Sequence, residues 1–514
     1  MISYSMNKKW VLGIILVLTF LMVVLIFIFK DASRYHKLIL SEDKWVSILQ
    51  KREESTSIQI EAIAFNDFSL LIDEDHSKIY YSIPDQVNQF NPNVSYISSK
   101  KKDRVVFLEK MSDEKIKENS SVSVMVYDDE NYHIYDLIVT SLPILNIDYG
   151  EESKSRNIPM TLSVYDNRSD AFSRNMESKG TIDVSTSIDQ KNDYRFSLSL
   201  ESLGGNKREN MISLLGMEKH SEYLLNSMVE DDLDVRDIFS SNLWNDLDKN
   251  SRDNYQYVEL FVNHEYVGLY TLGYRIERET VRLGRDDFLF YKKSLSHSED
   301  LFLEDEKLEG YVLYDRFMDK IGGRERVNST LKENVDAWHE LNSYYQVLAS
   351  GDSREIRNRV NLSNSIDLYL FYLFVQPEEH LNEETFSSTY LFFRKKGGTY
   401  QVEYMPSMLS DTFSVSYSDN RFVMPYNPVS VLIDLKDEKI VKEVQEEYQS
   451  LREDKWSLKN LTNRLEELES SLTQSGAVIR DREKWNLVEG DDMSSFSDYV
   501  MKRLEAMDQF IENL

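Results

Sequence analysis

The sequence predicts an α+β protein, and three observations lead to that class. Short segments in which apolar and polar residues alternate dominate residues 57–200, as expected for strands. Two further alternating segments, joined by a short turn, predict a β-hairpin at residues 257–272. From about residue 330, apolar residues recur at the spacing of helices. An antiparallel sheet with helices segregated behind it is the α+β arrangement.

The composition describes a large, acidic, cysteine-free globular chain. Its 514 residues are 41% hydrophobic and 12% aromatic, which suits a large core divided into roughly two or three units. The formal net charge of −29 argues against nucleic acid as a partner, because neutralising phosphates requires clustered Lys and Arg side chains. Basic or polar partners fit this charge better. The absence of cysteine excludes disulfides, thiolate metal sites and thiol catalysis.

The N-terminal segment predicts a membrane anchor. Residues 10–29 carry no charge over a length that matches the ~20 residues needed to cross a bilayer. Lys8 and Lys9 precede this run, and Lys30 follows it. We expect a signal-anchor helix, with residues 1–9 as a cytoplasmic tail and the bulk of the chain outside the cell. The alternative is a cleavable signal peptide, although the run exceeds the usual ~7–15 residues and no A-x-A site follows it.

Residues 38–140 predict a β-rich domain. Alternating hydrophobicity marks strands at 57–65, 68–73, 78–83, 103–109 and 121–128. Short strands separated by turn-rich stretches suggest a small sandwich that stands between the membrane and the next domain. No motif indicates its function.

Residues 141–514 predict a second domain that begins with strands and ends with helices. Strands are expected at 160–166, 180–187 and 193–200, and apolar spacing over 223–247 predicts an amphipathic helix. The helical part extends over about residues 330–514, with a break near Gly476. Its buried faces are predicted to hold Ile440, Val444, Tyr448 and Leu451, then Leu458, Leu461, Leu465, Leu468 and Leu472.

The hairpin carries the most specific pattern in the chain. Alternation over 258–262 is followed by turn chemistry at Asn263 and His264, and Gly268 lies within the second strand. A glycine there predicts a bulge or a close backbone approach. The pattern VELFVN-x-x-Y-x-GLY-x-L resembles the core of the spore-coat-protein-H (CotH) family. The resemblance extends over about residues 140–512 and implies an atypical kinase fold with a helical C-terminal half.

At the nucleotide end, the resemblance implies a strand-borne RGN-type motif and a strand lysine. Ser185, Thr186 and Ser187 fall where the triplet belongs, and Ser197 falls where the second lysine of the strand belongs. Serine cannot supply the point charge that a lysine places against the phosphates of ATP. The strand therefore lacks the residues that would bind a nucleotide.

Two basic residues of the same segment are candidate substitutes. Lys191 and Arg195 would serve as cofactor-binding residues if the protein uses ATP. The next helix keeps Asp231, Arg236 and Asp237 in a segment similar to the family's D-x-S-x-x-R-N. We expect a structural role for these three residues, since an acid and an arginine about one turn apart stabilise a helix.

At the chemistry end, the resemblance implies two acidic positions: an aspartate just after a helix and a W-D-x-D segment that would hold the metal. Glu378 falls at the first position, although its extra methylene displaces the carboxylate from where an aspartate would place it. Met408 and Ser410 occupy the two metal-binding positions, and Asp411 lies one residue beyond them. Mg²⁺ would lack its usual hard oxygen ligands, so no metal site is expected.

These losses, against a preserved hydrophobic framework, indicate a non-catalytic, pseudokinase-like member of the family. We expect a membrane-anchored surface protein of a Gram-positive-type cell that acts as a binding or scaffold component in cell-envelope or surface-polysaccharide assembly. Its partners would be the membrane and envelope proteins or polysaccharide, without a cofactor. One alternative is a divergent active kinase that uses ATP with Mg²⁺ or Mn²⁺, in which Lys191, Glu378 and Asp411 take the missing roles. The other alternative is a surface adhesin.

Overall fold

The computed structural model describes most of the chain from residue 33 to residue 514, and its class is α+β. The residues that it does not describe are 1–32, 84–90, 101, 118, 151–156, 168–175, 186–190, 202–206, 248–254, 277, 279–280, 293–310, 315–331, 378–388, 408, 414–421, 423–426 and 488–491. The predicted tail and membrane span, 1–9 and 10–29, lie outside the described residues. Among the helices that are described, none combines the length and the hydrophobicity needed to cross a membrane.

Residues 33–140 form two β-sheets that share one core. The strands are β1 (Ser33–Arg34), β2 (Glu53–Glu54), β3 (Ile60–Phe65), β4 (Phe68–Ser69), β5 (Leu71–Asp73), β6 (Lys78–Ser82), β7 (Asn93–Ser98), β8 (Arg104–Phe107), β9 (Val122–Tyr127) and β10 (Asn131–Thr140), and the helices are α1 (Tyr35–Leu38), α2 (Glu42–Leu49) and α3 (Asp113–Lys117). The first sheet has the order β1-β7-β3-β4 and the second β5-β6-β10-β9-β8, with β2 beside β10. Phe65 of the first sheet packs edge-on against Tyr81 of the second, 5.0 Å between ring centres.

Residues 144–274 form a sheet that closes on itself. Its strands are β11 (Ile144–Tyr149), β12 (Ile158–Tyr165), β13 (Met176–Ser185), β14 (Asp193–Glu201), β15 (Lys207–Glu209), β16 (Glu222–Asn226), β17 (Gln256–Val262) and β18 (Glu265–Tyr274). The order is β13-β12-β11-β17-β18-β16-β14, and pairing of β13 with β14 completes a ring of seven strands, with β15 attached to β14. A buried cluster that includes Leu162, Phe196, Leu260 and Tyr270 joins side chains from around the ring.

The remaining elements form a helical layer around a four-stranded sheet. The strands are β19 (Phe288–Lys292), β20 (Tyr311–Tyr314), β21 (Thr389–Lys396) and β22 (Thr399–Pro406), in the order β20-β19-β21-β22. The helices are α4 (Arg236–Leu247), α5 (Lys332–Ser350), α6 (Ser353–Arg359), α7 (Leu362–Val375), α8 (Pro428–Asp434), α9 (Glu438–Glu453), α10 (Leu458–Ser475), α11 (Ala477–Trp485) and α12 (Met493–Glu512). Every residue of α7 from Ser365 to Val375 is buried, so this helix is the centre of the layer.

The architecture expected from the sequence is wrong. Instead of a kinase-like domain with a helical C-terminal half, the described residues after 140 contain a closed seven-stranded sheet and a further four-stranded sheet among the helices. Closure depends on pairings such as the parallel contact of Ile144 with Glu259. Hydrophobic periodicity reports only which face of a segment is buried, and it carries no information about such distant partners.

The helix expected at 223–247 is partly wrong as well. Residues 222–226 form β16, and the helix α4 begins only at Arg236. In the C-terminal part the predicted faces of α9 and α10 are largely confirmed, although Leu458 is 57% exposed. The break at Gly476 is confirmed by its left-handed conformation, with φ of 65°.

Candidate functional site

The predicted hairpin is confirmed and forms one wall of the candidate site. β17 and β18 pair antiparallel around Asn263 and His264, whose φ values are 51° and 68°. Two consecutive residues with positive φ are typical of the tight turn that suits a twisted hairpin. The register shifts after Leu260, which pairs with Gly268. The bulge expected beside this glycine is therefore present.

Gly268 also permits the close approach of a second element. Its φ of 130° lies in a region that L side chains rarely adopt, and an added Cβ would lie 2.0 Å from Oδ1 of Asp481. Asp481 belongs to α11, which packs against β18. The same Oδ1 accepts a hydrogen bond from the backbone amide of Leu269 at 2.9 Å. The missing side chain thus makes room for a carboxylate that is bound to the strand.

Lys191 completes this junction as the partner of Asp481. Its Nζ donates to Oδ2 of Asp481 and to the carbonyl oxygen of Leu269, both at 2.9 Å, and lies 4.9 Å from the centre of the Tyr270 ring. Lys191 is only 1% exposed. Burial raises the pKa of the Asp481 carboxyl, and the neighbouring Lys191 ammonium partly offsets that rise. The ammonium is enclosed by protein on every side.

A second buried ion pair lies next to the first. Arg480 binds the carboxylate of Glu259 on β17 through two nitrogens, at 3.0 and 2.5 Å. Its guanidinium also donates to the side chain of Asn119 at 2.6 Å and to the carbonyl of Ser475 at 2.7 Å. One arginine therefore connects the hairpin, the N-terminal sheets and α10. Such a forked, charge-assisted arrangement fixes orientation as well as adding energy.

Three buried aspartates lie just before and within the first turn of α4, near the same junction. Burial raises the pKa of Asp231 to about 8, although Arg236, 3.7 Å away, acts in the opposite direction. Burial, followed by the negative charge of Asp481, raises the pKa of Asp234 to about 6. Burial also raises the pKa of Asp237. Carboxyl groups of this kind lose more by desolvation than their hydrogen bonds return.

The turn that contains Asp411 caps this acidic segment. The amide of Leu409 donates to Oδ1 of Asp237 at 3.0 Å, and Asn226 donates to the other oxygen at the same distance. Thr412 forms a 2.7 Å hydrogen bond with Ser240 of α4. The negative charge of Asp411 contributes to the raised pKa of Asp237. Asp411 therefore lies near the aspartates at the start of α4 and adds a further negative charge there.

The structure brings only some of the predicted site residues together. Lys191 is buried at the hairpin, whereas Arg195 is exposed on the outer face of β14, between the inward-facing Tyr194 and Phe196. Glu378 lies outside the described residues. Within the described part of the chain, no group of three or more His, Asp or Glu side chains is arranged to hold a metal ion.

Sequence reasoning missed the residues that organise the site. Arg480 and Asp481 are adjacent on a short helix, and each forms a buried ion pair with the closed sheet. Two neighbouring charged residues on a helix ordinarily indicate a solvated face. The available signal was their position directly after the helix break at Gly476, where Ala477 begins a new helix. Their chemical effect is to close the junction rather than to present a reactive group.

Comparison with known proteins identifies the family. No curated protein matches the chain. A family model described as CotH kinase protein matches residues 179–513, which is more than half of the 514 residues. The matched region includes the hairpin, Lys191, the acidic segment before α4 and both ion pairs of α11. The chain therefore belongs to the CotH kinase protein family.

Proposed function

We propose that this protein is a non-catalytic member of the CotH family that works as a binding or scaffold component in cell-envelope or surface-polysaccharide assembly. The observation that carries the proposal is the burial of Lys191, which is 1% exposed and bound to Asp481. Lys191 was the best remaining candidate for a phosphate-binding lysine. Exposure on the outside of the cell, and the identity of the envelope partners, stay predictions from the sequence.

A lysine that binds phosphate must place its ammonium where a nucleotide can reach it. Both hydrogen bonds of Lys191 go to groups of the protein, and the ring of Tyr270 lies close to the same nitrogen. Swinging the side chain outward would leave Asp481 as an unpaired buried charge. That state costs about 3–5 kcal/mol for a buried pair, which a bound nucleotide would have to overcome.

The acidic side of the site also supports the absence of phosphoryl transfer. Mg²⁺ is bound through ionised carboxylate oxygens. The pKa of Asp231, about 8, keeps this group protonated at neutral pH. Both oxygens of Asp237 already accept hydrogen bonds from Leu409 and Asn226. Of the acidic residues expected at the metal-binding segment, Asp411 alone remains, displaced by one position.

The test is phosphoryl transfer by the purified full chain. It would be incubated with radiolabelled ATP and either Mg²⁺ or Mn²⁺, beside an active protein kinase in the same buffer. We expect no labelled phosphate on the chain or on a generic acceptor protein. Labelling that is abolished by Asp411→Ala or Glu378→Ala would overturn the proposal and establish the divergent active kinase.

Thermal unfolding with ATP gives a second readout that does not require turnover. A ligand that binds only the folded state adds ~2.7 kcal/mol of stability at 100 times its dissociation constant. We expect no ATP-dependent shift of the unfolding midpoint. A shift without labelling would indicate a nucleotide-binding scaffold, and it would contradict the closed position assigned to Lys191.

A further inference from the structure

A cleft of about 350 Å³ lies where the N-terminal sheets meet the hairpin and α11. It is separate from the enclosed ammonium of Lys191 and from the acidic segment before α4. Ligand sites in proteins are commonly concave and of about 300–1,000 Å³, with few, well-placed polar groups over an apolar base. This cleft has that size, and strand register shows how its lining is ordered.

One wall is the outer face of the second sheet. Lys78 on β6 pairs with Asp73 on β5 and with Asp136 on β10, so the three residues form a charged row. Two positions along β6, Tyr80 pairs with Ile138 of β10. Residues two apart on a strand share a face, so the charged row lies beside an apolar row. The wall thus offers polar groups next to a small apolar floor.

The opposite wall comes from the closed sheet and from α11. Tyr266 of β18 stacks on Tyr80, with ring centres 5.8 Å apart and an angle of 11° between planes. Arg480, Glu483 and Lys484 lie on one face of α11, as residues three and four apart on a helix do. The cleft is therefore built jointly by the N-terminal sheets and the CotH-like part of the chain.

The charges of this lining disfavour an ionic ligand. Arg480 is paired with Glu259, and Lys484 is paired with Glu265 at 2.6 Å. Lys78 lies between two carboxylates in the charged row. An anionic ligand would approach the uncompensated carboxylates of Asp136 and Glu483, while a cationic ligand would approach the ammonium of Lys78, which forms no ion pair within the described part of the chain.

Three oxygen-bearing side chains of the cleft lining can accept hydrogen bonds from a ligand. Asp136 and Glu483 are exposed at the cleft, and within the described part of the chain neither forms a hydrogen bond or an ion pair through its side chain. Tyr266 is 7% exposed, and its hydroxyl has no hydrogen-bond partner among the described residues. A buried polar group without a partner is uncommon in native structures and calls for a specific explanation. A ligand hydroxyl at the floor of the cleft would supply one.

We propose that this cleft binds a neutral saccharide, one or two sugar rings in size. The sugar hydroxyls donate to Asp136 and Glu483, and charge-assisted hydrogen bonds of this kind are the strong ones. The apolar face of the ring lies on the exposed edge of Ile138, beside the almost fully buried Tyr80. The inference deepens the proposed binding function, on which it rests, by assigning it a ligand class and a place.

The experiment measures saccharide binding to the full chain by saturation-transfer NMR and by titration calorimetry. The probes are glucose, galactose, N-acetylglucosamine, maltose and chitobiose, with glucosamine and glucose 6-phosphate as charged counterparts. We expect a neutral probe to bind. Asp136→Asn and Glu483→Gln should each weaken that binding about tenfold, because each removes a charge-assisted hydrogen bond. Asp129→Asn, an exposed acid away from the cleft, is the matched control and should leave affinity unchanged.

Three outcomes overturn the proposal. They are the failure of every neutral probe to bind, binding that both cleft variants leave intact, and a preference for the charged counterparts. Unchanged thermal unfolding of the variants shows that a lost affinity is not a lost fold. Failure here leaves the phosphoryl-transfer result untouched, and ATP-dependent labelling would leave saccharide binding untouched, so the two proposals fail separately.

Discussion

Two groups of buried charges lie near the hairpin, and the protein stabilises them in different ways. At α11, each charge has an opposite partner: Lys191 with Asp481 and Arg480 with Glu259. At the start of α4, Asp231, Asp234 and Asp237 outnumber Arg236, the positive side chain of residues 231–237. In the first group, an opposite charge offsets part of the cost of burying each charge, whereas in the second group the carboxyls outnumber the cation and burial raises their pKa values.

The difference separates two kinds of sensitivity. A paired buried charge is sensitive to the removal of its partner, because the survivor is left desolvated and uncompensated. A carboxyl whose pKa is raised is sensitive to pH, because the unfolded chain gives up its proton at a lower pH than the folded one. Neither arrangement presents a free charge of the kind that nucleotide chemistry needs. Four measurements test this difference between the two groups of charges.

Breaking the Lys191–Asp481 pair should have the largest effect. Asp481→Asn leaves the Lys191 ammonium buried without its counter-charge, and Lys191→Met leaves Asp481 in the same state. We expect each variant to lose about 3–5 kcal/mol of unfolding free energy in urea titrations. Asn is chosen because its oxygen can still accept from the amide of Leu269.

The double variant Lys191→Met/Asp481→Asn is the control for this pair. Because it removes both charges together, its loss of unfolding free energy should be smaller than the sum of the losses of the two single variants. The difference should be at least about 1 kcal/mol. Strictly additive losses would show that the two side chains act independently. That result would also remove the main support for an enclosed, unavailable lysine.

Substitution of Gly268 should be the next largest effect. Gly268→Ala places a Cβ 2.0 Å from Oδ1 of Asp481, at a φ of 130°. The strain and the displaced carboxylate should cost about 3 kcal/mol, measured by urea unfolding. Gly150→Ala is the matched control, since nothing lies within 4 Å of a Cβ added there. Equal stability of both variants would mean that α11 does not press against the strand.

The part of the site that the sequence predicted is the part that local patterns determine. Turn residues at Asn263 and His264 and a glycine at 268 specify a hairpin with a bulge, because each acts on its own backbone. The partners of that hairpin could not be predicted in the same way. Asp481 reaches Leu269 from a helix more than two hundred positions further along the chain. No periodicity in either segment reports such a contact.

The role of Lys191 shows the same limit from the other side. Residue type alone allowed a phosphate-binding lysine. Only the packing of α11 shows that the ammonium of Lys191 is already bound to Asp481. Closure of the sheet was hidden for a similar reason, because β13 pairs on both of its edges while its sequence reads as an ordinary strand. Burial pattern is encoded locally, whereas partner choice is a property of the whole fold.

The acidic segment should respond to pH rather than to pairing. The pKa of Asp231 is raised from 3.8 to about 8, so the folded chain holds a proton that the unfolded chain has released. Its contribution to stability therefore falls as pH rises from about 4 to about 8, by at most ~1.4 kcal/mol per pH unit for one proton. Asp231→Asn should flatten this decline, and its stability relative to wild type should improve between pH 5 and pH 8. Urea unfolding at pH 5 and at pH 8, with Asp129→Asn as the control, would measure this change in relative stability. If the stabilities of wild type and Asp231→Asn depended on pH in the same way, the assignment would be contradicted.

The smallest effect is expected at an exposed ion pair of the same helix. Lys484 binds Glu265 at 2.6 Å, but the two side chains are 31% and 50% exposed. The hydrogen bond from Lys484 lowers the pKa of Glu265, and water screens most of the attraction. Glu265→Gln should cost about 0.2–1 kcal/mol in low salt and almost nothing at 1 M salt, where the Debye length is about 3 Å.

Glu265→Gln tests whether burial explains why the ion pairs of α11 are expected to contribute different amounts of unfolding free energy. Trp485, the residue after Lys484, donates to the carbonyl of Val267 at 2.8 Å and keeps the end of the helix on β18 without the ion pair. Urea unfolding of Glu265→Gln at low and high salt is therefore compared directly with Asp481→Asn. A salt-independent loss as large as that of Asp481→Asn would mean that position along α11, rather than desolvation, decides the energy of its contacts.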